Sequence, residues 1–105
     1  MLYTRFHRVK PEQVDRLRAW FKELDDREDE ATASYEREGT RCVQAHLLEG
    51  ASGPVLVFIA EVGDPRAARA AYVESRLPID EQHREVMHSV IVGSAAAELL
   101  YECAA

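Results

Sequence analysis

Four histidines and a dense set of carboxylates are the side chains of this sequence best equipped for chemistry. His83 and His88 stand with Asp80, Glu81 and Glu85 inside the run LPIDEQHREVMHSVIVG, residues 77–93. His7 and His46 fall in two separate segments rich in β-formers, LYTRFHRV and RCVQAHLLE. Imidazoles and carboxylates in such groups serve either as metal ligands or as acid–base and anchoring groups, and spacing decides between the two.

A helix turns by about 100° per residue. On that wheel His83 shares a face with Val86, Met87, Val90 and Ile91, while His88 falls about 140° away. The two rings therefore cannot hold one ion, and Glu85 with His88 points toward solvent. What remains is His83 with Asp80, the latter expected as the N-cap of this helix. A neighbouring carboxylate orients an imidazole and raises its pKa, whereas a helix N-terminus lowers it. Asp80 and His83 can thus form a catalytic acid–base pair or a ligand anchor. The alternative is a structural one: a capped helix whose half-buried histidine fixes the corner after Pro78.

A second polar set lies on the strand-like segments. Tyr3, Arg5 and His7 alternate against Leu2, Thr4 and Phe6, and Gln44 and His46 alternate against Val43, Ala45 and Leu47. In AAELLYECA, Glu98 and Glu102 alternate against Leu99, Tyr101 and Cys103. If the first and last strands pair, Arg5 and His7 face Glu98 and Glu102 across the ladder. This set is read either as a polar network at an interface or as a pocket lined by His7, His46 and a glutamate. Trp20, Tyr35 and Tyr72 lie on or beside apolar helical stripes and read first as packing. In the pocket reading, His7, His46 and Tyr72 are the ligand-binding residues. An ion shared by His7 and His46 requires both rings on one sheet face within about 4–5 Å. No metal site and no cofactor are expected, for there is no glycine-rich phosphate loop, nucleophile elbow or HExxH.

The elements that must position these groups follow from the changes of period. LYTRFHRV is a strand. PEQVDRLRAWFKELDD starts a helix at Pro11, with Val14, Leu17, Phe21 and Leu24 as its stripe. Continued to Gly39, that helix would measure about 40 Å against a strand pair of about 25 Å. It must therefore kink near DDREDE or project past the sheet. RCVQAHLLE and PVLVFIAEV are the second and third strands, joined by a hairpin at GASG. Asp64 and Pro65 start a helix over PRAARAAYVES, Pro78 interrupts it, and a further helix ends at Gly93. AAELLYECA is expected as the fourth strand.

The order is β-α-β-β-α-β in a single domain over 1–105. It predicts an α+β, ferredoxin-like fold: a four-stranded antiparallel sheet with helices on one face, strands one and three innermost. The third strand is apolar on both sides, with Val55, Val57 and Ile59 opposing Leu56, Phe58 and Ala60. One layer of helices hides only one side. A second copy of the chain is therefore expected to pack sheet to sheet, giving a homodimer.

Composition narrows the function class. A net charge of −6 argues against nucleic acid and anionic membrane surfaces as partners. No apolar run is long enough to span a bilayer, and Arg5, His7 and Arg8 interrupt any leader-like start. A cytoplasmic location is expected. Cys42 and Cys103 then read as small buried thiols.

The element order and the doubly apolar third strand resemble the dimeric α/β-barrel superfamily, which includes antibiotic-biosynthesis monooxygenases and muconolactone-isomerase-like proteins. More narrowly, the charged first helix ending in REG and the residues Pro78, Ile79, Asp80 and His83 resemble a small bacterial family of unknown function. That family carries a Pro-Ile-Asp-x-x-His signature. The superfamily resemblance implies a homodimer, often with a pocket between sheet and helices, and no single reaction. The expected function is homodimeric binding of a small organic molecule, enzymatic or otherwise. The alternative is a dimerisation or partner-binding module in which Asp80 and His83 are structural.

Overall fold

The computed structural model describes residues 1–105. The order of elements is β1 (Leu2–Val9), a 3-10 turn (Pro11–Gln13), α1 (Val14–Asp26), α2 (Glu28–Glu38), β2 (Thr40–Gly50), β3 (Gly53–Val62), α3 (Pro65–Glu74), α4 (Pro78–Val90) and β4 (Ile91–Ser94). The four strands form one antiparallel sheet of order β2-β3-β1-β4, making this an α+β protein with β1 and β3 inside. No helix is long and apolar enough to cross a membrane.

The long helical pattern after Pro11 breaks rather than projects. Arg27 leaves helical geometry at φ −118° and ψ 41°, separating α1 from α2. Its guanidinium holds the joint together by bonding Glu23, Glu30 and, from α4, Gln82. Gly39 ends α2 in the left-handed region, φ 74°, where a side chain would be strained. Asp64 caps α3 by accepting from the amides of Arg66 (2.9 Å) and Ala67 (3.3 Å).

Cross-strand partners share a face of the sheet, so the register sorts every side chain. Tyr3, Arg5 and His7 pair with Ala60, Phe58 and Leu56, and Val43, Ala45 and Leu47 pair with the same three. This is the face beneath the helices. Its core is Val9, Val14, Leu17, Leu56 and Val90, with Phe21, Phe58 and Met87 packed around it. Leu56 and Leu17 keep only 1% and 2% of their surface, and burying each contributes about 1.5–3 kcal/mol. The opposite face carries Leu2, Thr4 and Phe6 of β1, Val55, Val57 and Ile59 of β3, and Gln44, His46 and Leu48 of β2.

Three expectations are corrected. The last strand is Ile91–Ser94, not AAELLYECA, because α4 delivers the chain straight onto the free edge of β1. There Ile91, Gly93 and Ser94 pair with Val9, Arg8 and His7. The amide of Ala95 adds one bond to the Phe6 carbonyl, after which the chain leaves the sheet at three alanines, poor strand formers. Glu98 and Glu102 consequently lie in an exposed segment and face neither Arg5 nor His7. Cys42 and Cys103 are both exposed, the first on the outer strand β2 and the second in the segment after β4. Finally, Asp80 is not a helix cap. Leu77, extended as a residue before proline must be, occupies that position, and Asp80 sits inside the first turn of α4.

Candidate functional site

Large side chains fill the helix–sheet space at the Leu56 end, but not at the Val62 end. There the sheet presents Val43, Ala60 and Val62, and the helices above present Ala31 and Ala68. Small residues on facing surfaces leave a cavity of about 640 Å³ between the sheet and α2, α3 and α4. That volume lies inside the range of small-molecule sites, roughly 300–1,000 Å³.

Each helix contributes a stripe of cavity residues at the i, i+3, i+4, i+7 spacing of an inward face. From α2 come Ala31, Ser34, Tyr35 and Glu38, and from α3 Pro65, Ala68, Arg69 and Tyr72. From α4 come Asp80, His83, Arg84 and Met87. An inward stripe would ordinarily be apolar. These three carry carboxylates, guanidinium groups, phenols and an imidazole.

His83 is held by a partner that the sequence reading did not pair with it. Trp20 Nε1 donates to His83 Nδ1 at 2.9 Å. Indole N–H can only donate, so Nδ1 must carry the lone pair and the ring proton sits on Nε2. Phe21, Phe58 and Tyr72 pack edge-on around the ring, with centroids 6.4, 6.1 and 5.9 Å away. Burial, opposed by the Asp80 charge and assisted by that of Arg84, pushes the His83 pKa down to about 4. The imidazole is therefore neutral at physiological pH. Its Nε2–H has no protein acceptor, and no enclosed polar side-chain atom is left without a partner, so this N–H opens on the cavity.

Asp80 has a different task. Only 6% exposed, its carboxylate accepts from Ser34 Oγ at 2.6 Å and from Ser75 Oγ. Ser75 in turn accepts from the Leu77 amide (3.2 Å) and from Arg37 (3.3 Å), which leaves its single proton for Asp80. The carboxylate thus ties α2, the end of α3 and the start of α4 together. Both of its oxygens are engaged, and it makes no hydrogen bond to His83, on which it acts only through its charge.

The remaining expected residues divide by face. His7 and Tyr72 line the cavity. His7 packs edge-on to Phe58 at 6.2 Å, and its pKa is lowered by burial and by the charges of Arg5 and Arg69. Burial drives Tyr72 to about 12, while Arg84 and Arg5 lower it and Asp80 and Glu38 raise it. His46 is paired with Val57, on the opposite sheet face, where it is exposed and bonds Gln44 at 3.1 Å. His7 and His46 therefore cannot share a ligand or an ion. His88 is exposed, at the edge of the cavity.

Glu38 was not singled out from the sequence. It ends α2, and burial with the nearby Asp80 charge raises its carboxyl to about 7, against the opposing effects of Thr40 and Arg37. Near neutral pH both its protonated and its ionised form are accessible, the condition for acid–base exchange. Tyr35 beside it is raised by burial, Glu38 and Asp80. The signal that would have found Glu38 is its place in the Ala31, Ser34, Tyr35, Glu38 stripe, which the surrounding run of charges conceals.

The sequence profile described as a family of unknown function (DUF6176) matches residues 2–104. No curated protein and no solved structure matches this chain.

Proposed function

We propose that this chain, which belongs to the family of unknown function DUF6176, is a homodimeric binder of a small organic molecule held between sheet and helices. The observation that carries the reading is the His83 Nε2–H, kept neutral and aimed into an open, mostly apolar cavity of about 640 Å³. A preorganised donor in such a space anchors a carbonyl, hydroxyl or carboxylate oxygen. Glu38 is the group suited to proton transfer, so an enzymatic role falls to Glu38 and His83 acting as acid–base group and donor.

The strand order β2-β3-β1-β4, with α1 and α2 between β1 and β2 and α3 and α4 between β3 and β4, supports a ferredoxin-like arrangement. The dimer is supported by the uncovered sheet face. Leu2 and Leu48 there are 57% and 59% exposed, flanking Val57 and Ile59 with no layer above them.

The second reading, a non-enzymatic dimerisation or partner-binding module, draws on Asp80, whose carboxylate ties Ser34 and Ser75 together. That reading requires the space around His83 to be filled, and the cavity argues against it.

The test uses 1-naphthalenemethanol, a neutral aromatic alcohol, titrated into the protein and followed by NMR at the Trp20 indole and the His83 ring. Binding at about millimolar concentration, as suits so small a ligand, should shift both signals. In His83→Ala the binding should weaken while the fold and the oligomer persist. Shifts confined to the surface, or none, would remove the cavity reading.

A further inference from the structure

Four of the eleven arginines bond other groups of the protein. Arg84 donates to the carbonyls of Tyr72 (2.7 Å) and Ser75 (2.8 Å) and lies over the Tyr72 ring. Arg27 bonds Glu23 and Glu30, Arg18 lies against Asp15 and Glu49, and Arg37 reaches Ser75. Arg5 and Arg69 line the cavity and make no hydrogen bond or ion pair with any group of the protein. Arg5 is half-buried, on an inner strand, directly across from Phe58, whereas Arg69 on α3 is exposed at the cavity rim. A partly desolvated guanidinium without a counter-charge is costly unless something else supplies one.

The negative groups of the cavity do not supply it. Asp80 already accepts from a hydroxyl at each oxygen, Ser34 and Ser75, at the Val62 end. Glu38 is adjacent to Thr40, which pairs with Val62, four residues along β3 from the Phe58–Arg5 pair. That offset is about 13 Å at 3.3 Å per residue. The cavity is thus divided: carboxyls and hydroxyls at the Val62 end, and two unpartnered guanidinium groups with His7 at the Phe58 end. Between them lie the aromatic faces around His83.

We infer that the molecule bound here is an organic carboxylate with an apolar body, its charge taken by Arg5 and Arg69 and its body laid against Phe58, Tyr72 and His83. The inference rests on the cavity reading above and names the ligand class for it. Guanidinium forks match a carboxylate bidentately, and His7, close enough to both for their charges to depress its pKa, adds a donor on the same side. A carboxylate fits better than a phosphate monoester. The start of α3, just beyond Val62, lies at the other end, and Asp64 already accepts from two of its free amides, so it brings no amide donors to a phosphate here.

The experiment pairs 1-naphthoate with its neutral counterpart 1-naphthalenemethanol and adds 1-naphthyl phosphate, all titrated under the same conditions. Naphthoate should bind at least about tenfold more tightly than the alcohol, with the preference shrinking as salt is added. Arg5→Met and Arg69→Met should each erase most of the acid's preference over the alcohol. Neither guanidinium bonds the protein, so the variants should fold, and Arg5→Lys should restore part of the effect. Equal binding of acid and alcohol would overturn the carboxylate assignment and leave the cavity reading standing. Tighter binding of the phosphate would overturn the assignment likewise. Binding of none of the three would overturn both.

Discussion

Trp20 and His83, 63 residues apart, share a 2.9 Å hydrogen bond that assigns the imidazole one tautomer and one role. With Nδ1 accepting from the indole, His83 can offer only an N–H to whatever occupies the cavity. Long-range nitrogen–proton NMR should report a single neutral species protonated on Nε2 from about pH 6 upward. Trp20→Phe should produce mixed tautomers and cost about 1–3 kcal/mol, since Nδ1 is left buried without a donor. Retention of the single tautomer in that variant would show that another group sets it.

Asp80 is the tie of the helical layer, and its removal should be felt as stability. Asp80→Ala strands the hydroxyls of Ser34 and Ser75 in a buried site, for an expected loss of about 2–4 kcal/mol in urea unfolding. Asp80→Asn keeps the volume and an acceptor oxygen and should lose less. An Ala variant as stable as wild type would return Asp80 to the list of ligand-facing groups.

Two titratable groups, the largely enclosed His83 and the half-buried Glu38, oppose one another with pH. His83 titrates at about 4 in the fold against 6.5 when free, so between those values the unfolded chain binds the extra proton. Its contribution therefore grows as pH rises across that window and is lost on acidification, up to about 3 kcal/mol. His7, also lowered, acts in the same direction. Glu38 is raised from 4.5 to about 7, so the folded chain keeps its proton longer and this contribution falls as pH rises through that interval. Between about pH 5 and 6.5 the His83 and Glu38 contributions should largely cancel, leaving only the shallow rise from His7. Glu38→Gln should unmask a rise with pH and be more stable than wild type at pH 8. Superimposable curves for the two proteins would show that Glu38 titrates normally.

The uncovered sheet face should mediate self-association. Val57→Asp places an unpaired charge in the middle of that face and should weaken the dimer by on the order of a hundredfold or more, without loss of secondary structure. Sedimentation velocity of wild type and variant decides it: a monomeric wild type at micromolar concentration would remove the dimer.

Much of the local architecture is legible in the chain. Alternation sets Tyr3, Arg5 and His7 apart from Leu2, Thr4 and Phe6, and Asp64 with Pro65 marks the start of α3. Gly39 marks the end of α2, and the His83 side of α4 is inward by periodicity alone. These are consequences of backbone geometry, which repeats every 2 or about 3.6 residues and needs no distant partner. The polar inward stripes on α2, α3 and α4 were equally available, and their unsuitability for a dry core is the one local sign of a cavity.

Tertiary structure decided which of those residues meet. Sequence determines that His7 and His46 each alternate with apolar neighbours; it does not determine which side of the sheet either faces. A strand's parity is fixed only by its register, here His7 opposite Leu56 and His46 opposite Val57. Likewise Asp80 and His83 lie three residues apart, but their hydrogen-bond partners, Ser34 and Trp20, come from 46 and 63 residues away. The fourth strand moved for the same reason: a helix leads the chain to whichever edge remains unpaired, and the nearest residues take it. Local periodicity determines what each element can present, whereas long-range packing determines what it is presented to.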